Sequence, residues 1–85
     1  MENVVVELVR DIVRVDKDYK ISLDTKVEDL QVSSLEFVRM ILRMEEFFNI
    51  EFEIEDLLLS KFHSIEDFVT VIKKRLDMKE NGKDL

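Results

Sequence analysis

Apolar side chains fall at helical spacing in three stretches of the chain, and a long, irregularly dotted connection follows the first. Val5, Leu8, Ile12 and Val15 recur at intervals of three and four with Glu7, Arg10, Asp11 and Arg14 between them, which predicts an amphipathic first helix. Charged residues from Asp16 to Lys20 end that pattern. Residues 16–33 then form a connection in which Ile21, Leu23, Val27, Leu30 and Val32 act as anchors, so it is expected to pack down on the core. Within it, Thr25-Lys26-Val27-Glu28 fits a capping box and predicts one helical turn.

Phe37, Ile41, Met44 and Phe48 make the strongest stripe, at spacings of four, three and four. Ser33, followed three residues later by Glu36, predicts the start of this second helix, with Ser33 at the N-cap and Ser34 at the first helical position. Leu35, Val38, Met40, Leu42 and Phe47 widen the stripe, so the helix is either contacted on several sides or presents surface to a partner. Asn49, which tolerates the left-handed backbone of a helix end, is its expected stop. Ile50-Glu51-Phe52-Glu53-Ile54 alternates like a strand, but no partner strand is in sight. An extended linker with Ile50, Phe52 and Ile54 in the core is the better reading. Residues 55–60 allow one or two helical turns. A last helix is predicted from Ser64 as N-cap, with Ile65, Phe68, Val69, Ile72 and Leu76 buried and Lys73, Lys74 and Arg75 suiting its negative end. The expected fold class is all-α, a four-helix bundle with a long first loop and a short third helix. Residues 1–76 read as a single domain and 77–85 as a polar, frayed tail.

Composition narrows what such a bundle does. At 85 residues it is one small domain, 46% hydrophobic and 39% charged, with no apolar run near the roughly 20 residues of a membrane span. The acidic start and short valine patch do not make a secretory signal, so a cytoplasmic location is expected. With no cysteine there is no disulfide, thiolate metal site or cysteine nucleophile, and one glycine, Gly82, excludes glycine-rich phosphate loops. Thirteen basic against 20 acidic residues, net −7, argues against nucleic acid and self-association, and for a monomer steered to basic protein partners. The acid clusters: Glu45, Glu46, Glu51, Glu53, Glu55 and Asp56 lie in a stretch without Lys or Arg, which reads as a solvated acidic face.

Catalytic chemistry finds little support. The one histidine, His63, stands beside Ser64 in a turn-like stretch and reads as a surface imidazole. A calcium loop starting at Asp16 fails, because Ile21 stands where its glycine is required and Val27 where its bidentate Glu should be. No catalytic residue and no metal ligand set is expected. What remains is Ser34, at the positive end of the best helix, where backbone N–H groups and the macrodipole favour a phosphate on or near its hydroxyl; the spacing alone reads more simply as a tolerated polar residue in the first turn.

The run from Glu28 to Val38, with Leu30-Gln31-Val32-Ser33-Ser34-Leu35 at its centre, resembles the acyl carrier protein signature, a Leu-Gly-x-Asp-Ser-Leu loop entering a helix. Met44-Glu45-Glu46-Phe47-Phe48 with Asn49-Ile50-Glu51-Phe52 is similar to that family's Leu-Glu-Glu-x-Phe segment and its continuation, and Ser64–Phe68 is similar to the start of its last helix. The likeness runs over residues 3–76. It implies a carrier without catalysis of its own, with 4′-phosphopantetheine attached to Ser34 by a phosphopantetheinyl transferase. The arm's thiol would hold an acyl, aminoacyl or polyketide group as a thioester. Other partners implied are an acyl- or aminoacyl-loading ligase and downstream biosynthetic enzymes. The docking surface implied is the second helix and the loop before it, carried here by Ser33, Leu35, Glu36, Val38, Leu42, Glu45 and Glu46.

Three features depart from the family pattern. Ser33 replaces the Asp before the serine, Gln31 replaces the Gly, and Arg39 and Arg43 interrupt a helix that is strongly acidic in fatty-acid carriers. Ser33 can cap the helix as Asp would. The departures point to a specialised rather than a housekeeping fatty-acid pathway. The alternative is an unmodified carrier-like interaction module, supported mainly by the loss of that Asp.

Overall fold

The three strongly periodic stretches become helices α1 (Glu2–Arg10), α2 (Ser34–Phe48) and α3 (Ile65–Gly82). The computed structural model describes residues 1–16 and 18–82. Helix α1 buries Val5 and Val9 within its length, and the turn after it adds Ile12 and Val13; Leu8 and Val15 pack at the core's edge. The chain leaves the helix at Asp11 with the N–H groups of Ile12 and Val13 both on the Val9 carbonyl. That tightening brings Val13 inward where the spacing pointed to Val15.

The long loop is anchored as expected. Ile21, Val27 and Leu30 are buried, Leu23 and Val32 partly so. A single 3₁₀ turn covers Val27–Leu30, but the Thr25–Glu28 capping box is not made, because the Thr25 hydroxyl accepts from the Ser22 N–H at 2.8 Å. The loop instead caps α3. Thr25 and Leu23 carbonyls accept from Ile65 and Glu66 N–H, both at 3.0 Å, and the Val27 N–H donates to the His63 carbonyl at 2.9 Å. The Asp67 carboxylate completes that end by accepting from the His63 and Ser64 N–H groups. Ser64 therefore precedes the helix as expected, while loop carbonyls and Asp67, rather than its hydroxyl, satisfy the open donors.

The segment between α2 and α3 corrects the expected helix count. The short third helix does not form; Ile54–Asp56 and Leu59–Lys61 are single 3₁₀ turns. Leu57 and Leu58 between them are 40% and 52% exposed, so the segment has no continuous buried face to hold an α-helix. The architecture is all-α nonetheless, with three α-helices among the described residues. Ile50 and Phe52 enter the core without a strand. Their backbone is satisfied by one residue of α2: the Ile50 N–H reaches the Glu45 carbonyl, and the Phe52 N–H its carboxylate at 2.9 Å. The side chain of Ile54 lies outside the described part.

Helix α3 extends past Leu76 to Gly82, so residues 77–82 of the expected tail are helical, and 83–85 lie outside the described residues. Lys79 on that extension donates to the Asn49 carbonyl at 2.5 Å, a cation on the negative end of α2. Phe37, Phe62 and Phe68 tie α2, the last 3₁₀ turn and α3 together, with Phe62 and Phe68 stacked at 4.5 Å and Phe37 and Phe62 centroids 5.2 Å apart.

Candidate functional site

The start of α2 is built by its own sequence. Ser33 is the N-cap in extended conformation; its hydroxyl accepts from the Glu36 N–H at 3.1 Å, and its N–H donates to the Glu36 carboxylate at 2.9 Å. The expected capping box is therefore complete, and Ser33 does by hydroxyl what an Asp would do by carboxylate. Ser34 follows as the first helical residue, exposed, with a hydroxyl that has no hydrogen-bond partner among the described residues. The capping box uses the N–H groups of Ser33 and Glu36 and leaves those of Ser34 and Leu35 open at the positive end of the helix. Phe37, one turn on, sits in the phenylalanine cluster and fixes this end of the helix to α3.

Gln31 carries a feature that composition concealed. Its backbone is left-handed, φ 52° and ψ 48°, and it ends the 3₁₀ turn that swings the chain into Val32-Ser33-Ser34. A non-glycine residue there costs about 1–2 kcal/mol, against about 0.5–1 kcal/mol of extra backbone entropy that a glycine loses on folding. Gln31→Gly is expected to stabilise the protein by about 0.5–1 kcal/mol, raising Tm by about 2–8 °C in a thermal melt. An unchanged or lower Tm would show that the Gln side chain contributes more than its backbone costs.

Glu36 is the titratable group at this end. The hydrogen bond from the Ser33 N–H, and after it the Ser33 hydroxyl, hold its carboxyl below the ordinary value of 4.5, against a small opposing effect of burial and with help from Arg14 and Arg39. Arg14 Nε stands 4.0 Å from the carboxylate. Because the folded-state value is the lower one, this stabilisation is complete above pH 4.5 and is lost as pH falls through the folded value. Melts of wild type and Glu36→Gln should differ most near neutral pH and converge as the pH drops below 4.5; a gap independent of pH would assign the effect to packing.

The expected docking residues separate into two groups. Leu35, Val38 and Leu42 form an exposed stripe running from Ser34 down α2, at 71%, 49% and 57% exposure. Glu46 is exposed near the far end of α2. Glu45 is half-buried and held by the Phe52 N–H, while Ser33 and Glu36 serve the cap. Of the residues that widen the helix's apolar pattern, Met40 is core, and Phe47 is exposed with its ring against Phe48. His63 is exposed and lines a groove of about 590 Å³ with Val27, Val32, Leu59 and Phe62, beside the segment that leads to Ser34.

The clustered acids found an unexpected role. Arg75 is buried, and its Nε and a terminal nitrogen contact the same Asp56 oxygen at 2.7 and 2.5 Å, with Glu53 and Glu55 both 3.8 Å from the guanidinium. That oxygen also accepts from the Glu53 N–H. Three of the six acids are thereby gathered around one arginine of α3 rather than spread as an open acidic face. The spacing Phe68-Ile72-Arg75 places Arg75 on the buried stripe, which is the signal that could have found it. Among the described residues no helix is long and apolar enough to cross a membrane.

Comparison with known proteins agrees with this geometry. Residues 3–72 match the family described as phosphopantetheine attachment site, a match that contains the whole of α2 and the cap before it. The acyl carrier protein of Phytoplasma mali (strain AT) is 33% identical over 72 residues, covering 84% of this chain and 82% of that one. The crystal structure of an acyl carrier protein from Thermotoga maritima superposes with a TM-score of 0.70 at 18% identity, over 89% of this chain and 86% of that one, and so shares the fold. An exposed serine at a capped helix start, on a bundle of this shape and within that match, makes the chain a member of the acyl carrier protein family, a carrier rather than an enzyme, whose cofactor is covalently attached 4′-phosphopantetheine.

Proposed function

We propose that Ser34 is the attachment residue. The observation that carries this reading is its exposed hydroxyl, with no hydrogen-bond partner among the described residues, at the first position of α2 and in the motif position that the family likeness assigns to the serine. Ser33 and Glu36 hold the backbone so that this hydroxyl faces outward. The open N–H groups of Ser34 and Leu35 and the helix dipole stabilise the negative phosphodiester that attachment creates. When bound, the arm supplies a thiol that carries an acyl, aminoacyl or polyketide group as a thioester. Leu35, Val38 and Leu42 then form the apolar centre of the surface met by a phosphopantetheinyl transferase, a loading ligase and the downstream enzymes, with Ser33, Glu36, Glu45 and Glu46 around it. The carrier domain is residues 1–76, and the protein acts as a cytoplasmic monomer.

Its pathway is a specialised one rather than housekeeping fatty-acid synthesis. Supporting this are Ser33 in the family's Asp position and the guanidiniums of Arg39 and Arg43 on α2. The deciding test is intact mass after incubation with coenzyme A and a broad-specificity phosphopantetheinyl transferase, followed by peptide mapping. A gain of one phosphopantetheine on the peptide holding Ser34 is expected. No gain with several transferases would overturn the assignment and leave an unmodified docking module.

A further inference from the structure

The exposed stripe of α2 has a charged border whose sign differs from that of the chain as a whole. Net charge is −7, yet Arg39 stands four residues after Leu35 and three before Leu42, and Arg43 follows Arg39 by four. Arg39 is exposed and forms no ion pair among the described residues. Arg43 is 3.8 Å from Asp11, with both side chains more than half exposed, a contact that water and salt weaken. Arg39, Arg43 and Leu42 line a depression of about 260 Å³ with Asp11 and Ile12, between the end of α1 and α2. Arg14 adds a third guanidinium from the chain just after α1.

The acids that face these arginines are already engaged or set aside. Glu36 is held by the Ser33 N–H and by Arg14 with help from Arg39, and Asp11 pairs loosely with Arg43. Glu46, three residues after Arg43, lines a second depression with it but forms no ion pair within 4 Å among the described residues. On the opposite border, Glu45 is turned to the Phe52 N–H. Farther off, Glu53, Glu55 and Asp56 surround Arg75. An incoming protein that covers Leu35, Val38 and Leu42 therefore meets the exposed guanidinium of Arg39, whose neighbour Glu36 is already held by the Ser33 N–H, and a basic partner would bring like charge to it at close range.

We infer that Arg39 and Arg43 are specificity residues: they admit partner enzymes whose docking face sets a carboxylate beside an apolar pocket, and they disfavour partners with a basic docking face. The carboxylate would enter the depression between α1 and α2 as Leu42 and its neighbours pack against the pocket. This inference rests on the carrier reading above and names the chemistry of the partner for that same surface.

The test uses one phosphopantetheinyl transferase with a basic carrier-binding face, and a variant of it in which those basic residues are replaced by Glu. Each is assayed on wild type, Arg39→Gln/Arg43→Gln and Arg39→Glu/Arg43→Glu, with circular dichroism to confirm equal folding. With the basic transferase, charge reversal on the carrier should raise kcat/KM about tenfold or more through KM, with the Gln variant between. With the acidic transferase variant the order should invert. Both effects should fade at 1 M salt, where the screening length is about 3 Å. Modification of all three carriers at equal kcat/KM would overturn the inference and leave the carrier reading standing. Failure of every carrier to gain mass at Ser34 would overturn both.

Discussion

Replacing Ser34 by alanine is expected to abolish modification completely while leaving the fold unchanged. The Ser34 hydroxyl supports nothing among the described residues: the cap belongs to Ser33 and Glu36, and the side chain of Ser34 is exposed with no hydrogen-bond partner among them. Alanine is the best helix former, so stability should move by no more than about 0.5 kcal/mol. Intact mass after treatment with coenzyme A and transferase should show no added arm on Ser34→Ala, and a thermal melt should overlay that of wild type. Ser33→Ala makes the instructive contrast. It removes the acceptor for the Glu36 N–H and should cost about 1 kcal/mol, yet it keeps the Ser34 hydroxyl proposed for attachment. Slower but stoichiometric loading of Ser33→Ala would separate the positioning role of one serine from the chemical role of the next. An arm found on Ser34→Ala would refute the assignment.

The second large effect concerns Arg75. Arg75→Ala is expected to destabilise the protein by about 3–5 kcal/mol, because it leaves the Asp56 carboxylate buried without its counter-charge. A domain of 85 residues has about 4–13 kcal/mol in total, so this single change takes a large share of it. Tm should fall by more than about 12 °C. The pair itself is not a strong net source of stability. Desolvation of two ions offsets most of their attraction, so Asp56→Leu/Arg75→Met should recover most of the loss. A mild effect of the single change would mean that the Asp56 carboxylate reaches water once the guanidinium is gone, since Glu53 and Glu55, 3.8 Å from that guanidinium, are anions themselves and cannot replace it. What the pair does in the fold is positional. It fastens the 3₁₀ turn at Ile54–Asp56 to α3, on a segment whose Leu57 and Leu58 do not bury.

Much of the site was legible because it is local. The capping box of Ser33 and Glu36 joins residues three apart, and backbone geometry alone makes those two side chains meet. Asn49 ends α2 in the left-handed conformation that its residue type tolerates. The stripe of Phe37, Ile41 and Met44 is buried because a helix puts those positions on one side. Of the five loop anchors, Ile21, Val27 and Leu30 are buried and Leu23 and Val32 partly so, because these apolar side chains are what a largely polar segment has to hold it down.

Other features required the folded chain. Glu45 reads as surface acid until Phe52 arrives with an N–H that no strand will pair. Gln31 as a residue type gives no hint of left-handed backbone; the only signal was the Gly of the family pattern at its position, and the path from the 3₁₀ turn to the cap is what demands that conformation. The short third helix failed because its apolar residues have no buried face to share, and periodicity over six residues cannot show what lies opposite.

The three long helices, the capped start of α2, the serine at its first position and the family to which the motif belongs follow from the amino-acid order alone, since all of these depend on neighbours within about one or two helical turns. The tertiary structure alone decided which surplus apolar residues stay outside, that Met40 goes in while Leu35, Val38 and Leu42 remain exposed, and that the acids after α2 turn toward a buried arginine. Those outcomes depend on what packs against each side of a helix, and Asp56 and Arg75, 19 residues apart, meet only when α3 folds back across the core.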